Sequence, residues 1–154
     1  MRKIHRLAWA AGIIDGEGCI SIARRNPVGN NGRGSRSPSY TVNLKIGMVH
    51  RPTIEALRET FNVGALYNRP PEKPNHRTQW HWIVSGKDLA RVLTMVLPYL
   101  IVKKEEADLA LFFLQKNVKV NKRWLRAGVS EEIAQFREVC YRRMRELKQV
   151  EFLP

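Results

Sequence analysis

Two carboxylates, Asp15 and Glu17, are the only acidic residues among the first 54 positions, where nine lysines and arginines accompany them. Small and apolar residues recur at intervals of three and four before them, which predicts a helix. Gly16 and Gly18 leave helical geometry most readily, so we expect the helix to end near Asp15 or Gly16. The helix dipole disfavours each carboxylate there by roughly 0.3 to 1 kcal/mol. The pair therefore indicates a role other than helix stability, and carboxylate oxygens are ligands for hard divalent cations.

The composition describes one compact domain with a strong positive charge. The 154 residues are 44% hydrophobic, which is enough for a core, so we treat residues 1–154 as a single domain. The net charge of +13 favours binding to a polyanion, and nucleic acid is the obvious candidate. No apolar run approaches the roughly 20 residues that span a bilayer, and no secretory signal is evident. We expect a soluble, intracellular protein of the cytoplasm or an organelle matrix, without a membrane partner.

The cysteines and histidines do not indicate a metal site. Cys19 and Cys140 lie far apart in different predicted elements, which suits unpaired residues in a reducing compartment. His5, His76 and His81 show no zinc spacing with them. We therefore expect neither a disulfide nor a structural zinc.

The hydrophobic pattern predicts an α+β fold. Alternation of apolar and polar residues predicts four strands, over residues 19–25, 40–47, 65–69 and 79–85. Helical spacing predicts four further helices, over residues 53–61, 87–96, 104–116 and 130–148. Consecutive strands joined by loops form hairpins, so the sheet should be antiparallel.

Residues 10–18, Ala-Ala-Gly-Ile-Ile-Asp-Gly-Glu-Gly, resemble the motif for which the LAGLIDADG homing endonucleases are named. The order of predicted elements also resembles that family over essentially the whole chain. A second match, Pro-Tyr-Leu-Ile-Val-Lys-Lys at residues 98–104, is similar to the segment whose lysine reaches the active site, here Lys103. The resemblance implies an αββαββα core, a four-stranded antiparallel DNA-binding sheet and extra C-terminal helices. It also implies site-specific hydrolysis of both strands of a long, pseudo-palindromic DNA target.

The chain contains one copy of the motif, so the resemblance implies a homodimer with twofold symmetry. The motif helices of the family pack side by side, and small residues permit their close approach. The implied interface residues are Ala8, Ala11, Gly12 and Asp15. The alternative is that the small residues let this helix pack inside one chain, and Asp15 also suits a structural turn at the helix end.

The resemblance assigns metal binding to Glu17, assisted by the main-chain carbonyl of Gly16. We expect Mg²⁺ as cofactor, because it takes oxygen ligands and typically only one or two carboxylates. Mn²⁺ is a substitute, and Ca²⁺ should support binding without cleavage. The metal would activate a water and stabilise the leaving 3′ oxygen. Lys103 would stabilise developing charge or help to position the water.

The family often has a polar catalytic residue at the end of the second strand, where this chain has Met48. His50 and Arg51 follow closely, and both are candidate catalytic residues that could replace it. The alternative for His50 is a surface residue at the entry to the next helix.

The polar faces of the strands are predicted to contact DNA, because an antiparallel ribbon fits the major groove. The candidate contacts are Ser21, Ala23, Arg25, Arg33, Arg36, Thr41, Asn43, Lys45, Tyr67, Arg69, Gln79 and His81. For each residue taken alone, the alternative is a solvated surface side chain. Trp80 and Trp82 share the side of Val84 and are predicted to lie in the core. Four more basic residues are phosphate contacts or solvated charge: Lys119, Lys122, Arg123 and Arg126.

Two other functions are compatible with the same residues. Some members of the family bind intron RNA as maturases that assist splicing, so intron RNA is an alternative partner. A DNA-binding protein of this fold that has lost cleavage is the other alternative. Glu17 and Lys103 favour the endonuclease over this silent form.

Overall fold

The computed structural model describes residues 2–27, 37–117 and 128–149. Within these residues the chain has the predicted α+β class and the predicted order of elements. The elements are α1 (Lys3–Glu17), β1 (Gly18–Arg25), β2 (Ser39–Met48), α2 (Arg51–Phe61), β3 (Ala65–Arg69), β4 (Gln79–Ser85), α3 (Gly86–Val96), a 3₁₀ turn (Leu97–Tyr99), α4 (Lys104–Lys116) and α5 (Glu131–Gln149).

The four strands form one antiparallel sheet in the order β1-β2-β4-β3. Gly18 at the start of β1 pairs with Ile46 near the end of β2, and Ile46 pairs with Trp82 on β4. The junction between α1 and β1 therefore lies level with the C-terminal end of β2.

The two faces of the sheet alternate along each strand as predicted. The helix-facing residues are 4% exposed or less: Ile20, Ile22, Val42, Leu44, Ile46, Trp82 and Val84. They pack with the buried sides of the helices into one core. The other face carries polar and charged residues that are exposed or half-buried on β1 and β2. The helices thus cover one face of the sheet and leave the other available.

Trp82 anchors the second hairpin to α2 and confirms the core position predicted for it. Its ring stacks on Phe61 with centroids 5.6 Å apart, and its indole N–H donates to the Val63 carbonyl at 2.9 Å. Gly64 has φ of +90°, and a Cβ there would lie 2.3 Å from the indole nitrogen. The turn after α2 therefore requires glycine.

The end of α1 differs from the prediction. Helical geometry continues to Glu17, and Gly18 begins β1 directly with its N–H bonded to the Ile14 carbonyl. A Cβ at Gly18 would lie 2.5 Å from that carbonyl oxygen. Glycine is needed at this position for close packing and not for a left-handed conformation, since its φ is −78°.

The C-terminal helix α5 packs beside the first hairpin. Tyr40 donates a hydrogen bond to the Glu138 carboxylate at 2.7 Å, and Arg24 pairs with the same carboxylate at 3.5 Å. Cys19 and Cys140 are both free. In the part of the chain that the structure describes, no helix has the length and hydropathy of a membrane span.

Candidate active site

Asp15 binds the segment that precedes α4. Its two carboxylate oxygens accept hydrogen bonds from the backbone N–H groups of Ile101 at 2.8 Å and Lys103 at 2.9 Å. The Lys103 ammonium group in turn donates a hydrogen bond to the backbone carbonyl of Asp15. Hydrogen bonds to an ionised carboxylate are roughly twice as strong as neutral ones, so they offset its unfavourable position at the helix end. Asp15 therefore holds the segment before α4 within its own chain, which agrees with the alternative of a structural role, and its place in a dimer interface stays a prediction.

Glu17 has the opposite character to Asp15, although it lies only two residues further along the same helix. It is exposed and forms no hydrogen bond or ion pair with any residue that the structure describes. Gly16 beside it is also exposed, and a Cβ there would meet nothing within 4 Å. The end of α1 thus presents one exposed carboxylate without a protein partner among the described residues, two positions after Asp15, which binds Lys103.

His50 and Arg51 lie just beyond the end of β2, on the same edge of the sheet as the end of α1. His50 Nδ1 lies 2.8 Å from the Thr53 hydroxyl, which fits the alternative of a helix-entry residue. Arg51 donates to Glu55 at 2.7 Å, and its guanidinium lies 4.5 Å from the centre of the Trp80 ring. Both side chains make contacts with α2 or β4, and their catalytic role stays a prediction.

The register of the strands brings most of the predicted nucleic-acid contacts onto the open face of the sheet. Ser21 pairs with Asn43 and donates to its side-chain oxygen at 3.0 Å. The other paired positions are Ala23 with Thr41, Tyr67 with His81, and Arg69 with Gln79. Arg33 and Arg36, and the basic residues at 119, 122, 123 and 126, lie outside the described residues.

Two exposed cations lie on this face, Lys45 on β2 and Arg69 on β3. The Lys45 ammonium lies 5.7 Å from the centre of the Tyr67 ring, and Arg69 forms an ion pair with Glu72. The side chains of Arg69 and Glu72 are 61% and 68% exposed, so the pair contributes little to stability. Glu72 therefore holds Arg69 only weakly, and the contact of Arg69 with DNA stays a prediction.

His81 does not fit the prediction of a direct contact in the free protein. Only 5% of it is exposed, because the Tyr67 ring stacks on the imidazole with centroids 4.8 Å apart. Burial lowers the pKa of His81, and the nearby charges of Lys45 and Arg69 lower it further. The imidazole is therefore neutral at pH 7 and is covered on the face where a ligand would dock.

Part of the small-residue stripe is exposed on the outer side of α1, and its role in a dimer interface stays a prediction. Ala8, Gly12 and Gly16 are exposed, and a Cβ at Gly12 would meet nothing within 4 Å. Ala11 is wrong as an interface residue, because it is fully buried in the core of its own chain. The predicted stripe mixed two faces of the helix, since adjacent residues such as Ala11 and Gly12 differ by about 100° around its axis.

Sequence reasoning missed two exposed apolar residues beside this helix end. Ile101 and Val102 are 86% and 61% exposed on the segment that Asp15 holds. A signal was present, because two β-branched residues precede Lys103 outside any helical or alternating pattern. The backbone of Ile101 is bound to Asp15, so these two apolar side chains lie close to the end of α1.

A cavity of about 700 Å³ lies elsewhere, between the start of β2, α3 and α4. Tyr40, Lys87, Thr94 and Phe113 are among its lining residues, and it contains neither Asp15 nor Glu17. The volume of this cavity does not make it the candidate active site, because Glu17 is at the end of α1 and Lys103 binds Asp15 there.

Comparisons with known proteins identify the fold. No protein-family model matches the sequence, and no curated protein matches it. The homing endonuclease I-CvuI, solved with its target in the presence of Ca, superposes with a TM-score of 0.72 over 94% of this chain and 83% of that chain, at 19% identity. The archaeal intron-encoded homing endonuclease I-Vdi141I, complexed with DNA, superposes with a TM-score of 0.57 over 96% and 99% of the two chains, at 14% identity.

A third solved structure is much longer than this chain. The LAGLIDADG homing endonuclease I-GzeII, in complex with its DNA target, superposes with a TM-score of 0.62 at 17% identity. The likeness covers 90% of this chain but 43% of the I-GzeII chain, whereas I-Vdi141I is covered almost completely. The chain therefore has the fold of the LAGLIDADG homing endonucleases.

Proposed function

We propose that this protein is a site-specific DNA endonuclease that acts as a homodimer with a divalent metal. The observation that carries the proposal is the contrast at the end of α1, where Asp15 is satisfied inside the chain and Glu17 has no partner among the described residues. A carboxylate without a protein partner at the C-terminus of a helix does not stabilise that helix. It suits a cation that bridges the protein and a phosphate.

The open face of the sheet supports DNA as the substrate. It carries the exposed cations Arg25, Lys45 and Arg69, and its antiparallel strands place side chains at regular intervals of two residues. Such a ribbon fits the major groove, where side chains can reach successive base edges. I-CvuI and I-Vdi141I are solved in complex with DNA, which agrees with this use of the fold.

The homodimer follows from the need for two active sites. Each chain supplies one Glu17, and a break in both strands needs one such carboxylate for each strand. The outer side of α1 offers Ala8 and Gly12, which permit the close approach of a second helix. A twofold axis at this helix would bring the two Glu17 carboxylates together, and the DNA target would share the same symmetry.

The residues present fit a Mg²⁺ site that is shared with DNA. Within residues 2–27, 37–117 and 128–149, no three metal-ligating side chains come together, so the chain has no complete cage of its own. Mg²⁺ commonly binds through one or two carboxylates together with phosphate and water. Glu17 and the Gly16 carbonyl would hold it, and when bound it supplies a nucleophilic water and stabilises the leaving oxygen. Mn²⁺ would substitute, and Ca²⁺ would support binding alone.

Lys103 supplies positive charge beside this site. Its ammonium group is held at the Asp15 carbonyl, and its own backbone N–H is held by the Asp15 carboxylate. These contacts orient the side chain before the substrate arrives, which lowers the cost of stabilising charge on the phosphate. Asp15 is accordingly a positioning residue, and Lys103 is the residue that would touch the reacting phosphate.

The test begins with a selection of bound duplexes from a randomised DNA library in Ca²⁺. The selected duplex is then incubated with Mg²⁺, and both strands are examined for cleavage. Glu17→Gln keeps the volume and removes the charge, so binding in Ca²⁺ should persist while cleavage falls by more than about a hundredfold. Lys103→Met should also slow cleavage strongly without loss of metal binding.

Glu59→Gln is the matched control, because Glu59 is an exposed glutamate on α2. It should cleave like the wild type. Cleavage by Glu17→Gln at the wild-type rate would overturn the assignment and make Asp15 the next candidate. Binding without cleavage by the wild type would indicate the silent DNA-binding alternative, and preference for intron RNA over the selected duplex would indicate the maturase.

A further inference from the structure

His81 lies in a three-layered stack on the open face of the sheet. It pairs across the strands with Gly47 on β2 and with Tyr67 on β3. The imidazole lies close over Gly47, since a Cβ there would lie 2.4 Å from Nδ1 and 2.5 Å from Cε1. The Tyr67 ring covers the other side, nearly parallel to the imidazole at an interplanar angle of 15°. Any residue larger than glycine at position 47 would displace the imidazole.

Both ring nitrogens of His81 are buried without a hydrogen-bond partner in the described structure. A buried polar group without a partner costs free energy comparable to a lost hydrogen bond, so such groups need an explanation. An apolar residue would fill the same space between Gly47 and Tyr67 without this cost. The unsatisfied nitrogens therefore point to a partner that is absent from the free protein.

The charges around His81 match an anionic partner. Lys45 faces it from β2 and Arg69 from β3, while its neighbours on β4 itself, Gln79 and Ile83, are neutral. The phenol of Tyr67 is the other titratable group in the stack. A partner that brings negative potential would therefore meet two cations and a histidine that can take up a proton.

The Tyr67 cover can open at low cost. Tyr67 is 38% exposed, and its contacts here are the stack on His81 and the Lys45 ammonium 5.7 Å from its ring centre. Its hydroxyl makes no hydrogen bond to a described residue. Rotation of the side chain would uncover the imidazole without breaking a strand pair.

The stack is level with the candidate active site. Ile46 pairs with Gly18, so the next residue, Gly47, lies level with Glu17 at the end of α1. Two strand spacings, about 10 Å, separate β1 from β4 in the sheet order. A base contacted at this row would lie near the bonds that the enzyme cleaves.

We propose that Tyr67 is a movable cover and that His81 beneath it reads a base: docking of DNA turns Tyr67 aside, and the exposed imidazole donates hydrogen bonds to acceptors on a purine edge. This inference rests on the proposed DNA-binding function and extends it to a residue that determines specificity. Both imidazole nitrogens become donors when the ring takes up a proton, so the N–H that faces the groove can donate to N7 or to O6 of a guanine. DNA binding should therefore take up protons and strengthen as the pH falls from 8 to 6.

The first experiment compares selections from the same randomised duplex library in Ca²⁺ with the wild type, His81→Gln and His5→Gln. His5 is an exposed histidine near the start of α1, away from the sheet, and serves as the matched control. We expect the preference of His81→Gln for one base over the other three to fall about tenfold at one position in each half of the target. The rest of the consensus should be kept. His5→Gln should enrich the wild-type consensus.

The second experiment measures proton uptake by calorimetry of binding to the selected duplex in two buffers with different heats of ionisation. The wild type and His5→Gln should take up more protons for each protomer than His81→Gln. Tyr67→Phe keeps the cover, so its proton uptake on binding should match that of the wild type. Tyr67→Ala should raise the pKa of His81 in the free protein, measured by its NMR titration, and should reduce the proton uptake on binding.

The outcomes separate this inference from the proposed function. If no protein enriches any sequence, specific DNA binding fails and this inference fails with it. If the wild type and His81→Gln enrich the same consensus with equal preferences and take up equal numbers of protons, only the role of Tyr67 and His81 is overturned. If His81→Gln is unstable by thermal melting, the Tyr67→Ala and Tyr67→Phe pair decides: equal His81 titration in both would exclude a cover.

Discussion

On the helix side of the sheet Leu44 and Trp82 are completely buried, whereas Lys45 on β2 and Tyr67 on β3 are exposed on the other side. On the helix side the apolar side chains pack into the core, and the Trp82 indole N–H donates to the Val63 carbonyl. The open side holds cations and two orphaned imidazole nitrogens. Groups that are satisfied within the chain stabilise the fold, and a buried polar group without a partner, such as the His81 imidazole, needs an explanation outside the fold itself.

The same contrast separates the two acids of α1. Asp15 forms two hydrogen bonds to backbone N–H groups, while Glu17 has none within the described residues. Two acidic residues that lie two positions apart therefore differ in their contacts, and we expect them to differ in their effect on stability.

The largest expected effect on stability comes from the helix side of the sheet. Trp82→Ala removes the stack on Phe61 and the hydrogen bond to Val63, so the free energy of unfolding should fall by about 3 to 5 kcal/mol. Lys45→Ala on the open side should change it by less than about 0.5 kcal/mol. Urea unfolding of both variants measures the difference. Equal effects would show that the two faces are not distinct.

The second prediction compares the two acids. Asp15→Asn removes the charge that orients the backbone of Ile101 and Lys103, and should lower the free energy of unfolding by about 1 to 2 kcal/mol. Glu17→Gln should leave it unchanged or raise it slightly, since a negative charge at the helix C-terminus is unfavourable. Thermal unfolding at matched pH checks this, and a destabilised Glu17→Gln would contradict the view of a free carboxylate.

The third prediction compares the two sides of α1. Gly12→Leu adds a side chain in open space and should leave each chain folded but separate the subunits, because it prevents the approach of a second helix. Ala11→Leu adds the same bulk in the core and should destabilise the chain by about 1 to 3 kcal/mol. Sedimentation velocity at micromolar concentration gives the oligomeric state. A wild-type protein that is monomeric both free and on DNA would refute the homodimer.

The smallest effect is expected from single cations on the open face. Binding should weaken steeply with salt, because each phosphate that the protein neutralises contributes about 0.9 to the slope of log affinity against log salt. Arg69→Ala should relax base preference, with little loss of stability because its pair with Glu72 is exposed. Equilibrium binding to the selected duplex across a salt series tests both. A flat salt response would count against an interface dominated by phosphates.

Much of the fold could be predicted because the signals are local. Alternation along β2 separates Val42 and Leu44 from Asn43 and Lys45, and the structure places them on the predicted faces. The bounds of β3 and β4 agree with the predicted residues 65–69 and 79–85. Both elements alternate apolar and polar residues and end at residues that favour turns.

The sequence by itself determined the element order, the two faces of the sheet, and the acidic pair at the end of the first helix, because these depend on neighbouring residues and on charge. Tertiary structure alone decided which acid is bound within the chain, since the partners of Asp15 lie 86 and 88 residues away. It also decided that Ala11 faces the core while Ala8 faces outward, and that Tyr67 covers His81. These outcomes depend on which surfaces pack together, and the periodicity of a single segment carries no information about its packing partner.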